Sequence, residues 1–154
     1  MLTNTTDREL LVTRIFDAPV DLVFKVWTEP AHLEKWWGPN GFTNSIHKMD
    51  VRPGGEFVLT MHGADGTDYP NKIVYDEVIK NKLLRYSHGS GKENDPRQFQ
   101  VTVQFSEHDN KTLLTMRMVF VSKEEFDRVV QKYGAIEGNR QTMDKLEAYL
   151  KNNF

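Results

Sequence analysis

Apolar and polar positions alternate most regularly in the second half of the chain. Phe99, Val101, Val103 and Phe105 are interleaved with Gln98, Gln100, Thr102 and Gln104, and Leu114, Met116, Met118 and Phe120 follow with Thr115 and Arg117 between them. A period of two sends successive side chains to opposite faces of a strand. These segments therefore predict antiparallel strands with one wet face and one covered face. Gly55–His62 reads the same way, with Phe57, Leu59 and Met61 against Glu56, Thr60 and His62, although Val58 blurs the polar side. Lys72–Ile79 and Leu83–His88 form a further pair joined by Lys80-Asn81-Lys82. Phe42–Val51 is a strand of undecided facing, and Glu9–Phe16, dense in Leu, Val, Thr, Ile and Phe, opens the series. Pro53-Gly54-Gly55 and Gly63-Ala64-Asp65-Gly66 have the chemistry of turns.

Helical periodicity takes over in two places. Pro19 sits at a first helical position, where its missing N–H costs nothing, and Val20, Val23, Phe24 and Trp27 recur at helical spacing through Thr28. Pro30 starts a second short helix that carries Leu33, Trp36 and Trp37 and ends at Gly38-Pro39. Farther on, Ser122-Lys123-Glu124-Glu125 has the form of a capping box, with Val121 and Phe126 as its hydrophobic staple. Gly134 predicts a left-handed end to that helix. A longer helix then runs from about Ala135 to Asn152, with Ile136, Met143, Leu146 and Leu150 as its apolar stripe and Asn139 interrupting it. No repeat, low-complexity tract or linker divides the chain, so residues 1–154 are expected to form a single domain. The order of one strand, two short helices, about six strands and one long helix predicts an α+β fold. One long helix across a curved antiparallel sheet of six to seven strands buries both apolar faces.

Composition narrows the chemistry. Leu, Ile, Val and Phe number 40 of the 154 residues, enough for a core without a metal or disulfide staple. Cysteine is absent, which excludes disulfides, Cys-based zinc sites and thiol nucleophiles. Lys and Arg total 20 against 22 Asp and Glu, a formal charge of −2. The first 77 residues carry 7 basic and 12 acidic groups, the last 77 carry 13 and 10, and neither half holds a run of five like charges. Such a balance argues against a nucleic-acid partner. Met1–Leu10 lacks the basic and apolar regions of an export signal, and no stretch approaches 18 apolar residues. The expectation is a cytoplasmic protein without membrane insertion, for which the glycosylation patterns at Asn4-Thr5-Thr6 and Asn110-Lys111-Thr112 carry no meaning.

Most catalytic motifs fail. Gly89-Ser90-Gly91-Lys92 is followed by Glu93, and Tyr86 stands where a phosphate loop needs its first Gly. Gly-x-Gly-x-x-Gly and Gly-x-Ser-x-Gly are absent. His32, His47, His62, His88 and His108 make no i, i+4 pair, so no metal site and no cofactor is expected. Glu124 and Glu125, being adjacent, diverge on a helix and read as a cap. Three patterns remain. Trp36-Trp37 precedes a Gly-Pro loop, and one of the pair reads either as half-exposed core or as the mouth of a pocket under the long helix. Tyr86 and His88 share the parity of Leu84 and point to the covered side, as a satisfied polar pair or as the polar end of a ligand site. Met61, Met116, Met118 and Met143 fall on inward positions, as core or as the adaptable wall of a cavity.

Arg14-Ile15-Phe16-Asp17-Ala18-Pro19, Trp27-Thr28-Glu29-Pro30-Ala31-His32-Leu33 and Trp36-Trp37-Gly38-Pro39 resemble the opening of AHSA-type domains. These are relatives of a heat-shock-protein ATPase activator within the START/Bet v-like SRPBCC superfamily. Asp50-Val51-Arg52-Pro53-Gly54-Gly55-Glu56-Phe57 resembles the next block, and Gly138 followed by Met143, Leu146 and Leu150 resembles the last helix, so the likeness runs over about residues 8–152. The resemblance implies a helix-grip fold with a cavity between sheet and C-terminal helix, and a superfamily whose members bind lipids, sterols, polyketides or other apolar molecules. A Trp often follows the helix glycine in these relatives; Asn139 stands here, which removes a large plug near one end of the cavity. The expected function is non-catalytic binding of a small, mainly apolar molecule by Trp37, Phe57, Leu59, Met61, Tyr86, His88, Phe99, Val101, Met116, Met118 and Met143. Loops around Gly38 and Gly89 would gate access. The alternatives are a cyclase or hydrolase with His88 as general base near Tyr86, and a chaperone-accessory, stress-related interaction module; a homodimer stays open.

Overall fold

The computed structural model describes residues 5–154. Asn4, the acceptor position of the first glycosylation pattern, and the start of the segment read for an export signal lie outside the described residues. Seven strands form one antiparallel sheet: β1 (Glu9–Phe16), β2 (Thr43–Met49), β3 (Glu56–His62), β4 (Asp68–Ile79), β5 (Leu83–Gly89), β6 (Phe99–His108) and β7 (Lys111–Val119). Their order across the sheet is β1-β7-β6-β5-β4-β3-β2. Helices α1 (Val20–Thr28) and α2 (Pro30–Leu33) follow β1, and α3 (Lys123–Gln131) and the long α4 (Ala135–Asn153) close the chain. This is the α+β arrangement that the element order predicts and the helix-grip fold that the resemblance implies.

Register decides what meets on the covered face. Val101 stands opposite Met118 and Tyr86, Val103 opposite Met116 and Leu84, and Phe105 opposite Leu114. Another row runs Phe99, His88, Ile73 and Phe57 across four strands. Register shifts between Ile46 and Lys48 in β2 and between Tyr75 and Glu77 in β4 mark bulges, which bend a strand and increase its twist. The Pro53-Gly54-Gly55 turn is bonded into the second bulge: Gly54 N donates to Tyr75 O at 2.7 Å, and Tyr75 N donates to Gly55 O at 3.0 Å. A Cβ on Gly55 would lie 2.0 Å from the Asp50 carbonyl oxygen, so this close approach admits only glycine.

The core fills the concavity with Phe16, Trp27, Leu33, Trp36, Phe57, Leu59, Leu84, Leu114, Met143 and Leu146, all nearly inaccessible. Trp27 packs edge-on to Trp36, Trp37 and Phe105 at centroid distances of 4.9, 5.9 and 6.0 Å. Several details depart from the sequence reading. Pro19 is the N-cap rather than the first helical residue, with ψ 154°. The second helix is a single turn, and Trp36 and Trp37 continue it only through turns onto Leu33 O. Strand β4 begins at Asp68, through Pro70. Pro70 pairs with Thr60 of β3, whereas β5 joins only from Lys72 onward, so the missing N–H falls where the strand has one neighbour.

At α3, Ser122 Oγ accepts from Glu125 N at 3.0 Å, but the Glu125 carboxylate takes two bonds from Arg128 instead of closing the box. Val121 does not staple the helix: inward parity continues from Met118 to Phe120, which leaves Val121 outside and puts Phe120 against Phe126, 5.8 Å between centroids. Gly134 adopts φ 61°, ψ 43°, the left-handed conformation expected of it.

Candidate functional site

Between the sheet and α4 lies a cavity of about 290 Å³. The strands contribute Met61, Tyr86, His88, Phe99, Val101, Met116 and Met118, α4 contributes Ala135, Gly138, Asn139, Thr142 and Met143, and Trp27, Trp36 and Trp37 close one end. Nine of the eleven residues named from sequence therefore line it. Phe57 and Leu59 do not; each is 1% exposed, and Phe57 borders only a separate void of about 10 Å³. They share the parity of Met61 but sit where the core is filled. Both Trp36 and Trp37 are buried and both line the cavity, so neither is the half-exposed member of a pair.

Access differs from expectation on one side. Gly38 lies on the wall, whereas Gly89 borders a separate polar cleft beyond His88 and Phe99. The cavity rim is formed instead by Tyr133, Gly134 and Ala135, which lead into α4. Tyr133 is 58% exposed, with Arg128 and Lys132 over its ring at 5.1 and 5.5 Å. Across from it, the Gly38-Pro39-Asn40 loop is tied to α4. Lys145 Nζ donates to Gly38 O at 3.1 Å and to Pro39 O at 3.4 Å, and Asn40 N donates to Gln141 Oε1 at 3.0 Å. Burial lowers the Lys145 pKa. Gly38 has φ 91°, and a Cβ there would come 2.8 Å from Met61 Cε.

His88 is held on the wall by both ring packing and a hydrogen bond. Its ring lies between Phe99 (4.8 Å) and Trp37 (6.3 Å), and Phe99 stacks in turn on Phe120 at 5.0 Å. Asn71 Nδ2 donates to Tyr69 O, which leaves Asn71 Oδ1 facing His88 Nε2 at 2.6 Å. His88 must therefore donate from Nε2, and Nδ1 keeps its lone pair. Desolvation lowers the His88 pKa to about 4, so the ring is neutral at physiological pH. Desolvation also raises the Tyr86 pKa, with a smaller contribution from nearby Tyr75, and keeps the phenol protonated.

Three buried polar atoms on residues of this wall have no hydrogen-bond partner: Trp27 Nε1, the Tyr86 hydroxyl and Asn139 Oδ1. Trp27 and Tyr86 also border the small void, about the size of one water. Asn139 Nδ2 points at Met116 Sδ, 3.6 Å away, and since a thioether only accepts, the carbonyl oxygen is left over. Sequence reading missed Asn139, Thr142 and Tyr133 as wall residues. Asn139 reads in the sequence as a break in an apolar stripe and as the loss of a plug near one end of the cavity, two signals that place it near the wall without making it a polar wall residue. Among the described residues no group of three or more His, Cys, Asp or Glu could hold a metal, and no helix is long and apolar enough to cross a membrane.

The model of the family described as activator of Hsp90 ATPase homolog 1-like protein matches residues 17–151. Solved structures share the fold over nearly the whole chain. A protein from Mycobacterium smegmatis is 26% identical with TM-score 0.85, covering 98% of this chain and 95% of its own. One from Nitrosomonas europaea is 27% identical with TM-score 0.85, covering 95% and 96%. The AHSA1 protein of Silicibacter pomeroyi, at 19% identity and TM-score 0.76, covers 95% and 99%. No curated protein matches the chain.

Proposed function

Since the chain belongs to the activator of Hsp90 ATPase homolog 1-like family, we propose that it uses this family's helix-grip fold to bind a small, mainly apolar molecule between the sheet and α4. The observation that carries the reading is the cavity itself: about 290 Å³, walled by aromatic and Met side chains, in a core that is elsewhere close-packed. Desolvation of ligand and wall supplies the affinity, on the order of 25 cal/mol per Å² of apolar surface before the costs of association. Four flexible Met side chains let the wall adjust to the occupant. Binding is favoured over turnover because His88, the candidate base of the wall, is a weak one with a pKa near 4.

Purification from the native host, followed by denaturing extraction and mass spectrometry, tests the reading. The wild-type protein is expected to carry a small apolar compound, and Met116→Trp, which fills the cavity from β7, is expected to carry none. Equal recovery from both proteins would remove the cavity as the binding site.

A further inference from the structure

The cavity wall has a property that its apolar character alone does not require. None of its residues is Lys, Arg, Asp or Glu, and its one imidazole, His88, faces Asn71 rather than a carboxylate. Lys145 of α4, beside the rim, spends its ammonium on the carbonyls of Gly38 and Pro39. Arg128 and Lys132 stand over Tyr133 at the rim, Arg128 already paired with Glu125, so a charged ligand group in the interior would be desolvated without a counter-charge, which costs far more than leaving it in water. Polar ligand groups are nevertheless called for. The Tyr86 hydroxyl on β5 and Asn139 Oδ1 on α4 are buried and unpartnered on opposite walls, the first protonated and able to donate, the second able only to accept. An unmet buried group of this kind costs about 1–3 kcal/mol.

Building on the apolar-binding reading above, we infer that the ligand is an uncharged molecule carrying a hydrogen-bond acceptor, such as a carbonyl oxygen, for Tyr86 and a hydroxyl donor for Asn139. Asn139 then acts as a specificity residue. It rejects carboxylates, because its free atom is an acceptor, and it discriminates between hydroxylated and unsubstituted forms of one skeleton. The polar cleft beyond His88 and Phe99, with its Lys92, Arg97 and Arg128, stays outside this site.

Four probes of one shape test the inference by isothermal titration at neutral pH: diphenylmethane, benzophenone, para-hydroxymethyl benzophenone and para-benzoylbenzoate. The hydroxymethyl compound is expected to bind about 3- to 10-fold tighter than benzophenone, the worth of one neutral hydrogen bond. Benzophenone is expected to exceed diphenylmethane by a similar factor, and the carboxylate to be at least about tenfold weaker than benzophenone. Asn139→Leu should erase the hydroxymethyl advantage while benzophenone still binds, which also shows that the variant is folded. Tyr86→Phe should erase the advantage of benzophenone over diphenylmethane. A carboxylate that binds as well as benzophenone, or a hydroxymethyl advantage that survives Asn139→Leu, would overturn the assignment while leaving the apolar cavity standing. Failure of all four probes to bind would overturn both.

Discussion

His88 shows how one residue's surroundings set its chemistry. Packed between Phe99 and Trp37, it loses hydration that an imidazolium needs, and its pKa falls from 6.5 to about 4. The unfolded chain therefore takes up this proton first as pH drops. Its contribution to stability is complete above about pH 6.5 and is lost progressively as pH falls toward 4. Each pKa unit is worth about 1.4 kcal/mol. His88→Gln can still donate to Asn71 but does not titrate. Urea unfolding across this window is expected to show a shallower acid-side loss in the variant, by on the order of 1–3 kcal/mol; identical pH slopes would mean that His88 titrates normally. Sequence parity placed Tyr86 and His88 on the covered face, but could not show that His88 finds Asn71 and Tyr86 finds no partner. That difference comes from strand β4, which brings Asn71 beside β5.

Among α1, α2, α3 and α4, α3 alone has no buried residue, and its start depends on Ser122 Oγ and on Phe126 against Phe120. Loss of a serine cap typically costs about 1 kcal/mol. Ser122→Ala is expected to lower global stability by no more than that, and to speed hydrogen exchange in residues 123–131 more than in the sheet, by mass spectrometry. Uniform exchange changes would place α3 in the main cooperative unit instead. The start of α3 was legible because capping is local chemistry. The partner of Glu125 was not, because Arg128, one turn on, offers two charge-assisted bonds in place of one backbone donor. Ile136 was misplaced for a different reason. It follows the helical stripe of α4, yet it is 52% exposed, since the first turn stands at the cavity rim beside Tyr133 and Gly134.

At the scale of the whole molecule, α4 and the sheet hold each other. Met143, Leu146 and Leu150 are the buried residues of the helix, and Leu146 is fully inaccessible. Leu146→Ala is expected to cost about 2–5 kcal/mol in chemical denaturation, the range for a buried leucine whose site cannot collapse. A cost below about 1 kcal/mol would mean that α4 is not clamped by this contact. The cavity lies toward the other end of the same helix, where Gly138 and Asn139 replace bulk with space.

What the sequence determined by itself was governed by local periodicity: six to seven strands in order, the helix starts to within a residue, the covered face of the strands that alternate cleanly, and through two tryptophan- and glycine-rich blocks the family. A period of two or of 3.6 tells which side of an element faces inward. Depth and partnership were decided only in three dimensions. Phe57, Leu59 and Met61 read alike along β3, but only Met61 meets the cavity; Trp37 packs on Phe57 at 6.0 Å between centroids, and Leu59 is 1% exposed in the filled core. Likewise, Asn139 reads as a flaw in an apolar stripe until α4 is laid on the sheet, where its Nδ2 faces Met116 Sδ and its oxygen becomes a buried, unclaimed acceptor. Whether an inward residue is core or wall depends on what the opposite layer brings to it, and that information lies in no single stretch of chain.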